Sequence, residues 1–285
     1  GTPAGVGPMN AGDVVEITGD IEEAFMLTKD GTWGAPITIR GVTSVKDGRI
    51  IRPKVKLDGA KVISCRGSWN VIEGLDISGA QVNRNTEGAI LQDCMDLVIR
   101  NCRIHNNNQA IGISQGSGNT TVEMCEIDSN GGGHSGTSYS GGSGIYAHSR
   151  QPGTLLKIEN CYFHDGTGGY FIRSRNPRNL IRCNWFEGPY HSAVKIINEL
   201  TWGGEAPDLR PMHTDIVGNV FDQGRSPGPK YDVLQLGAEG AETPGTEGDF
   251  HVAHNLFVMT AKNTVALRVN GNVDRLRAFN NVFLG

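Results

Sequence analysis

The chain carries 285 residues, with 26 Lys and Arg against 30 Asp and Glu, for a formal net charge of −4. Phosphate binding needs clustered Lys and Arg, and no basic block is present, so nucleic acid is excluded as an expected partner. No apolar run approaches the roughly 20 residues of a membrane span, which excludes a helical membrane protein.

Taken in order, the chain first offers Asp20–Leu27, the one stretch with a helix-like apolar period, expected to form a short N-terminal cap. From there a repeat runs nearly to the end. Its unit closes with NCRI (101–104), MCEI (124–127), NCYF (160–163), CNWF (183–186), GNVF (218–221), HNLF (254–257) and NNVF (280–283), with GLDI (74–77) a weaker earlier copy. The closing residues recur every 23 to 36 positions, as a coil does when some turns carry an inserted loop. A repeat of this extent favours one domain over residues 1–285, with the natural chain expected to continue past both ends.

Two columns follow from the repeat. Phe163, Phe186, Phe221, Phe257 and Phe283 fall at one position and are expected to stack inward. Two residues earlier the column reads Cys102, Cys125, Cys161, Asn184, Asn219, Asn255 and Asn281. Asn tolerates left-handed backbone at a bend, and stacked amides bond along a ladder. The six cysteines form no CxxC pair, so a structural zinc site is not expected. A column of buried thiols is the reading, with a disulfide between neighbouring turns as the alternative.

Ahead of each unit lies another apolar run: AILQ (89–92), AIGI (110–113), GIYA (144–147), FIRS (171–174), AVKI (193–196), VLQL (233–236) and ALRV (266–269). Without long helices to cross over, such strands fit an all-β solenoid whose turns pair with one another and bury Ile, Val, Leu and Phe along the axis. Each fully buried one contributes about 1.5–3 kcal/mol. Period-2 alternation then turns two columns outward. One reads Leu91, Gly112, Tyr146, Arg173, Lys195, Gln235, Arg268, and the next Asp93, Ser114, His148, Arg175, Ile197, Gly237, Asn270. Adjacent cations on neighbouring strands call for an anion laid across them. The longest insertions, 128–143, 198–213, 223–232 and 237–249, flank these strands and are expected to wall a groove. Trp202, Tyr139 and Tyr190 lie in or beside the walls, where they could stack on sugar faces.

The segments AGDVVEI (11–17), GTWGAPITIRG (31–41) and NVIEGLDI (70–77), with the repeat, resemble the right-handed parallel β-helix of pectate lyases and related polysaccharide lyases, chondroitinase B and alginate lyases among them. The resemblance implies a secreted or periplasmic, monomeric enzyme acting on an acidic, uronate-containing polysaccharide by β-elimination, although this chain carries no signal peptide. Lyases of this fold use Lys or Arg as base, with calcium or arginine at the substrate carboxylate. By position, Lys195 resembles the base, Arg173 or Arg175 the carboxylate clamp, and Tyr146 or His148 the acid, with Gln235, Arg268 and Trp202 as further substrate-binding residues. The acidic calcium cluster of pectate lyases is not found, nor the Asn/Glu/Glu set of chondroitinase B. Glu199, Asp165 and Glu187 are scattered, so arginine neutralisation is preferred and Ca2+ is the alternative cofactor. A glycoside hydrolase using loop carboxylates and a non-catalytic glycan-binding β-helix are the rival readings.

Overall fold

The computed structural model describes residues 9–57, 61–80, 88–131, 142–197, 212–224, 232–237, 248–260, 264–270 and 273–285. Three parallel sheets of ten, nine and nine strands carry the chain, and no helix occurs among these residues. Each turn gives one strand to each sheet. Leu97–Arg100 lies in the first, Arg103–His105 in the second and Ile111–Ile113 in the third, after which Thr120–Glu123 returns to pair with Leu97–Arg100. This is an all-β parallel β-helix. An antiparallel hairpin, Ser44–Lys46 with Arg49–Ile51, projects from an early turn.

The expected cap over Asp20–Leu27 is not helical. Ile21 bridges to Val55, and Phe25–Leu27 pairs in parallel with Ile63–Cys65, so this stretch is already a turn of the coil. Its apolar spacing reflected inward positions on two successive short strands.

The aromatic column forms in the expected register, buried inside the coil from Phe163 to Phe257 and exposed at Phe283 on the last turn. Ring centroids of Phe163, Phe186, Phe221, Phe257 and Phe283 stand 4.8, 4.9, 5.1 and 5.0 Å apart in turn. Beside it runs the amide ladder. Asn219 Nδ2 donates to Asn255 Oδ1 and to the Ile181 carbonyl, both at 3.0 Å, while Asn219 Oδ1 accepts from the Asn184 backbone N–H at 2.9 Å. The ladder continues into the thiols: Cys161 N–H donates to Asn184 Oδ1 at 2.9 Å. All six cysteines are free, and burial pushes the Cys102 and Cys125 thiols well above their usual range. The left-handed residue falls one position before the ladder, at Asn101, Met124, Asn160, Cys183, Gly218, His254 and Asn280. The ladder residue can therefore point inward because its predecessor makes the bend.

Asn219 is buried and satisfied on both sides, whereas Asn281 ends the ladder half-buried. Asn219→Ala should cost about 2–3 kcal/mol, since it strands a carbonyl and an N–H in the interior. Asn281→Ala should cost markedly less. Denaturant unfolding of both variants checks the contrast, and equal losses would mean that the ladder does not carry the stability assigned to it.

Candidate active site

The third sheet runs through Ile111–Ile113, Ile145–Ala147, Tyr170–Ser174, Ser192–Ile196, Asp232–Gly237 and Val265–Asn270. Its register pairs Tyr146 with Arg173, Arg173 with Lys195, Lys195 with Gln235 and Gln235 with Arg268. The outward column expected from alternation is thus assembled on adjacent strands.

The column is not solvated, as an outer face was expected to be. Tyr146, Lys195 and Gln235 are buried, Arg173 is half-buried, and Arg268 is the most open of them. The Arg173 guanidinium sits over the rings of Tyr146 and Tyr170, 5.2 and 5.9 Å from their centroids. Lys195 Nζ lies 5.0 Å from the Tyr170 centroid and donates to its hydroxyl at 3.2 Å. Arg268 Nε donates to Asp232 Oδ1 at 2.8 Å.

The second column departs further from expectation. Arg175 is fully buried, so it cannot meet a polymer directly, and its Nε donates to Tyr146 Oη at 3.3 Å. His148 is buried too, its ring 5.9 Å from that of Tyr146. A polar corner fixes both positions: Ser149 N–H donates to Asn176 Oδ1 at 3.0 Å, and Asn176 N–H to Ser174 Oγ at 3.1 Å. Side chains just past the strand end are folded beneath the column rather than beside it.

Tyr170, His191 and Asp232 belong to the cluster and escaped sequence reasoning. Strict alternation puts Tyr170 on the inner face with Ile172. However, Phe171 and Ile172 both enter the core, as do Ala193 with Val194 and Val233 with Leu234. The alternation breaks once in each strand, and the residue ahead of the break turns outward. Consecutive apolar pairs in FIRS, AVKI and VLQL were the available signal. His191 lies just before its strand, with its ring 4.9 Å from Tyr170. Burial and then the Lys195 charge lower its pKa, against an opposing pull from Asp232.

Other expected residues fall elsewhere. Glu187 accepts from Tyr162 Oη at 2.6 Å and Asp165 meets His164 at 2.8 Å, both at the second sheet and away from this cluster. Tyr190 is half-buried next to His191. Trp202, Tyr139 and Glu199 lie outside the described residues, as does most of each wall segment.

A family model described as the right handed beta helix region matches residues 53–221, more than half of the chain. The chain belongs to the right-handed β-helix family. Among solved structures, the β-helix is similar to the alginate lyase from Paenibacillus sp. str. FPU-7, with a TM-score of 0.58 and 14% identity over 96% of this chain and 92% of that one. Pectate lyase Pel9A aligns with a TM-score of 0.46 and 12% identity, covering 96% and 72% of the two chains. The PL6 family polysaccharide lyase Pedsa3628 from Pseudopedobacter saltans gives 0.40 and 13%, covering 98% and 90%. No curated protein sequence matches. At these identities the likeness concerns the fold. No helix is long and apolar enough to cross a membrane among the described residues.

His191 offers a direct reading of the cluster's field. Its folded pKa lies below the unfolded value, so its contribution to stability is full above about pH 6.5 and is lost as pH falls through that value toward the folded pKa. Lys195→Met should raise the His191 pKa and Asp232→Asn should lower it further. NMR titration of the imidazole signals checks both signs, and an unchanged pKa in Lys195→Met would separate the two residues.

Proposed function

We propose that this β-helix is a polysaccharide lyase that cleaves a uronate-containing polymer by β-elimination. The observation that carries the reading is the register Tyr146–Arg173–Lys195, which sets a phenol, a guanidinium and an amine on three consecutive strands. Strands stand about 4.8 Å apart. A pyranose ring laid over Arg173 would have Lys195 on one side and Tyr146 on the other.

β-Elimination needs a neutralised carboxylate, a base for the C5 proton and an acid for the leaving oxygen. Arg173 pairs with the uronate carboxylate and stabilises the charge that spreads into it as the proton leaves. Lys195, in its neutral form, takes the C5 proton; the C4–C5 double bond forms and the bond from C4 to the glycosidic oxygen breaks. Tyr146 gives its proton to that oxygen. Tyr170 holds Lys195 Nζ in place, and Arg175, bonded to Tyr146 Oη, is reassigned from clamp to positioning residue. Gln235 and Arg268 extend the same column toward a neighbouring sugar. His148 stands behind Tyr146 and is not needed as the acid.

Calcium, the alternative neutraliser, takes six to eight oxygen ligands. Among the described residues the cluster sets cationic side chains where those oxygens would stand, and Asp232 accepts from Arg268. A hydrolase would need two carboxylates about 5–9.5 Å apart across the scissile bond, a pair that the described residues of this cluster do not offer. A monomeric, single-domain enzyme acting outside the cytoplasm fits a polymeric substrate.

A panel of uronate polymers assayed for ultraviolet-absorbing unsaturated product tests the reading. Lys195→Ala should lower turnover about 10²–10⁴-fold, the range for general-base loss, while leaving the fold and polymer binding nearly intact. Arg173→Ala should weaken both binding and turnover. A new reducing end without unsaturation would make the protein a hydrolase, and binding without cleavage would make it a glycan-binding module.

A further inference from the structure

On the first sheet, away from the groove, the strands Met212–Val217 and Gly248–Ala253 pair in parallel with Asp215 opposite His251 and His213 opposite Asp249. His213 and Asp215 are two apart on one strand and share its outer face. His213 Nε2 lies 2.9 Å from Asp215 Oδ2, and His251 Nδ1 lies 3.1 Å from Asp215 Oδ1. The two imidazoles meet edge to face at 5.1 Å. One ligand atom from each of the three residues falls within 4.8 Å of the others. His251 Nε2 is buried with no hydrogen-bond partner, so this ring is not fully used by hydrogen bonding.

We propose that His213, Asp215 and His251 form a binding site for a borderline divalent transition-metal ion of the zinc class. Two imidazoles and one carboxylate are the donor set such ions favour over calcium or magnesium, which take oxygen. With metal–ligand bonds of about 2.0–2.2 Å, tetrahedral ligand atoms stand about 3.3–3.6 Å from one another. The observed 2.9 and 3.1 Å run to different oxygens of Asp215, so a bound ion would replace both hydrogen bonds and draw one Asp215 oxygen and the two imidazole nitrogens, already within 4.8 Å of one another, around itself. All three side chains are half-buried, which leaves an approach from solvent and a position for water.

Arg178 and Arg277 stand next to His213 and His251 in register, but both are exposed. Asp249, opposite His213, faces Arg275 at a loose 3.7 Å and adds negative charge on the near side. A second cluster of metal-type residues among the described residues, Glu126, Asp128 and His164, is poorer, because Arg103 already takes both Asp128 oxygens at 2.9 and 3.3 Å.

The site closes one turn of the coil. Between His213 and His251 the chain passes through Asp232–Gly237, the strand that carries Asp232 and Gln235 in the groove. A metal joining the start of that turn to its end removes loop-closure entropy from the unfolded chain, as other cross-links do. It would stiffen this turn without touching the proposed reaction.

The test is zinc titration of chelator-treated full-length protein by calorimetry, with thermal melts and cobalt substitution alongside. The expected result is one equivalent bound, a zinc-dependent rise in melting temperature, and visible cobalt bands of a nitrogen- and oxygen-ligated ion. His251→Ala and Asp215→Asn should each weaken binding at least tenfold and abolish the melting shift. Circular dichroism shows whether each variant is folded, and His213→Gln serves as a third, size-conserving variant. No binding by the wild type, or equal binding by all folded variants, overturns the assignment. The outcome is independent of any lyase activity.

Discussion

Parallel hydrogen bonding between successive turns stacks each residue on its equivalent about 4.8 Å away, and everything else in this molecule follows from that spacing. Like is placed on like. For phenylalanine and asparagine the result is favourable, since rings pack face to face and each amide donates to the next. For charges it is costly unless signs alternate. The outer face of the first sheet shows the usual solution, with Glu73 between Arg40 and Arg100, and Glu159 bonded by Lys157 and Arg182. Burial works to raise the Glu73 carboxyl, yet its two arginines outweigh it and hold it below its ordinary value.

The third sheet departs from that solution. Arg173 and Lys195 stand side by side in register, and the aromatic faces of Tyr146 and Tyr170 line their approach. A guanidinium or amine over a tyrosine ring gains part of its lost hydration from the ring quadrupole, without losing the capacity to meet an anion. The same spacing that makes the column expensive to build makes it a ruler for a polymer whose charges also recur. The proposed action on an acidic polysaccharide rests on that correspondence rather than on any single residue.

Much of the architecture was legible because a solenoid writes its tertiary contacts into sequence spacing. The phenylalanine and asparagine columns, and the pairing of Tyr146, Arg173, Lys195, Gln235 and Arg268, could be read by aligning repeats. Three things could not. The bend residue precedes the ladder, because left-handed backbone at Met124 or Cys183 leaves no mark in residue type. The burial of Arg175 and His148 depends on a corner made by Ser149, Ser174 and Asn176, residues whose polarity suggested only a turn. Tyr170 and Asp232 were hidden by the assumption of unbroken alternation.

That last omission explains how the site is constructed. An unbroken strand gives each face every second residue, so a single column is all that one turn could contribute to the groove. The paired core residues Phe171–Ile172, Ala193–Val194 and Val233–Leu234 insert one extra inward position at the same height on three neighbouring strands. Residues ahead of the break are thereby returned to the outer face, and a second row containing Tyr170, Ser192 and Asp232 lies beside the first. Tyr170 can then reach Lys195, and Asp232 can reach Arg268, from the adjoining strand. Both rows rest on backbone that is hydrogen-bonded on either side and packed from below, so their side chains are held more closely than loop residues would be. The break itself recurs along the sheet, at Val62–Ile63, Ala89–Ile90 and Ala110–Ile111 as well, so the candidate site arises where it lies beneath the adjacent cations Arg173 and Lys195.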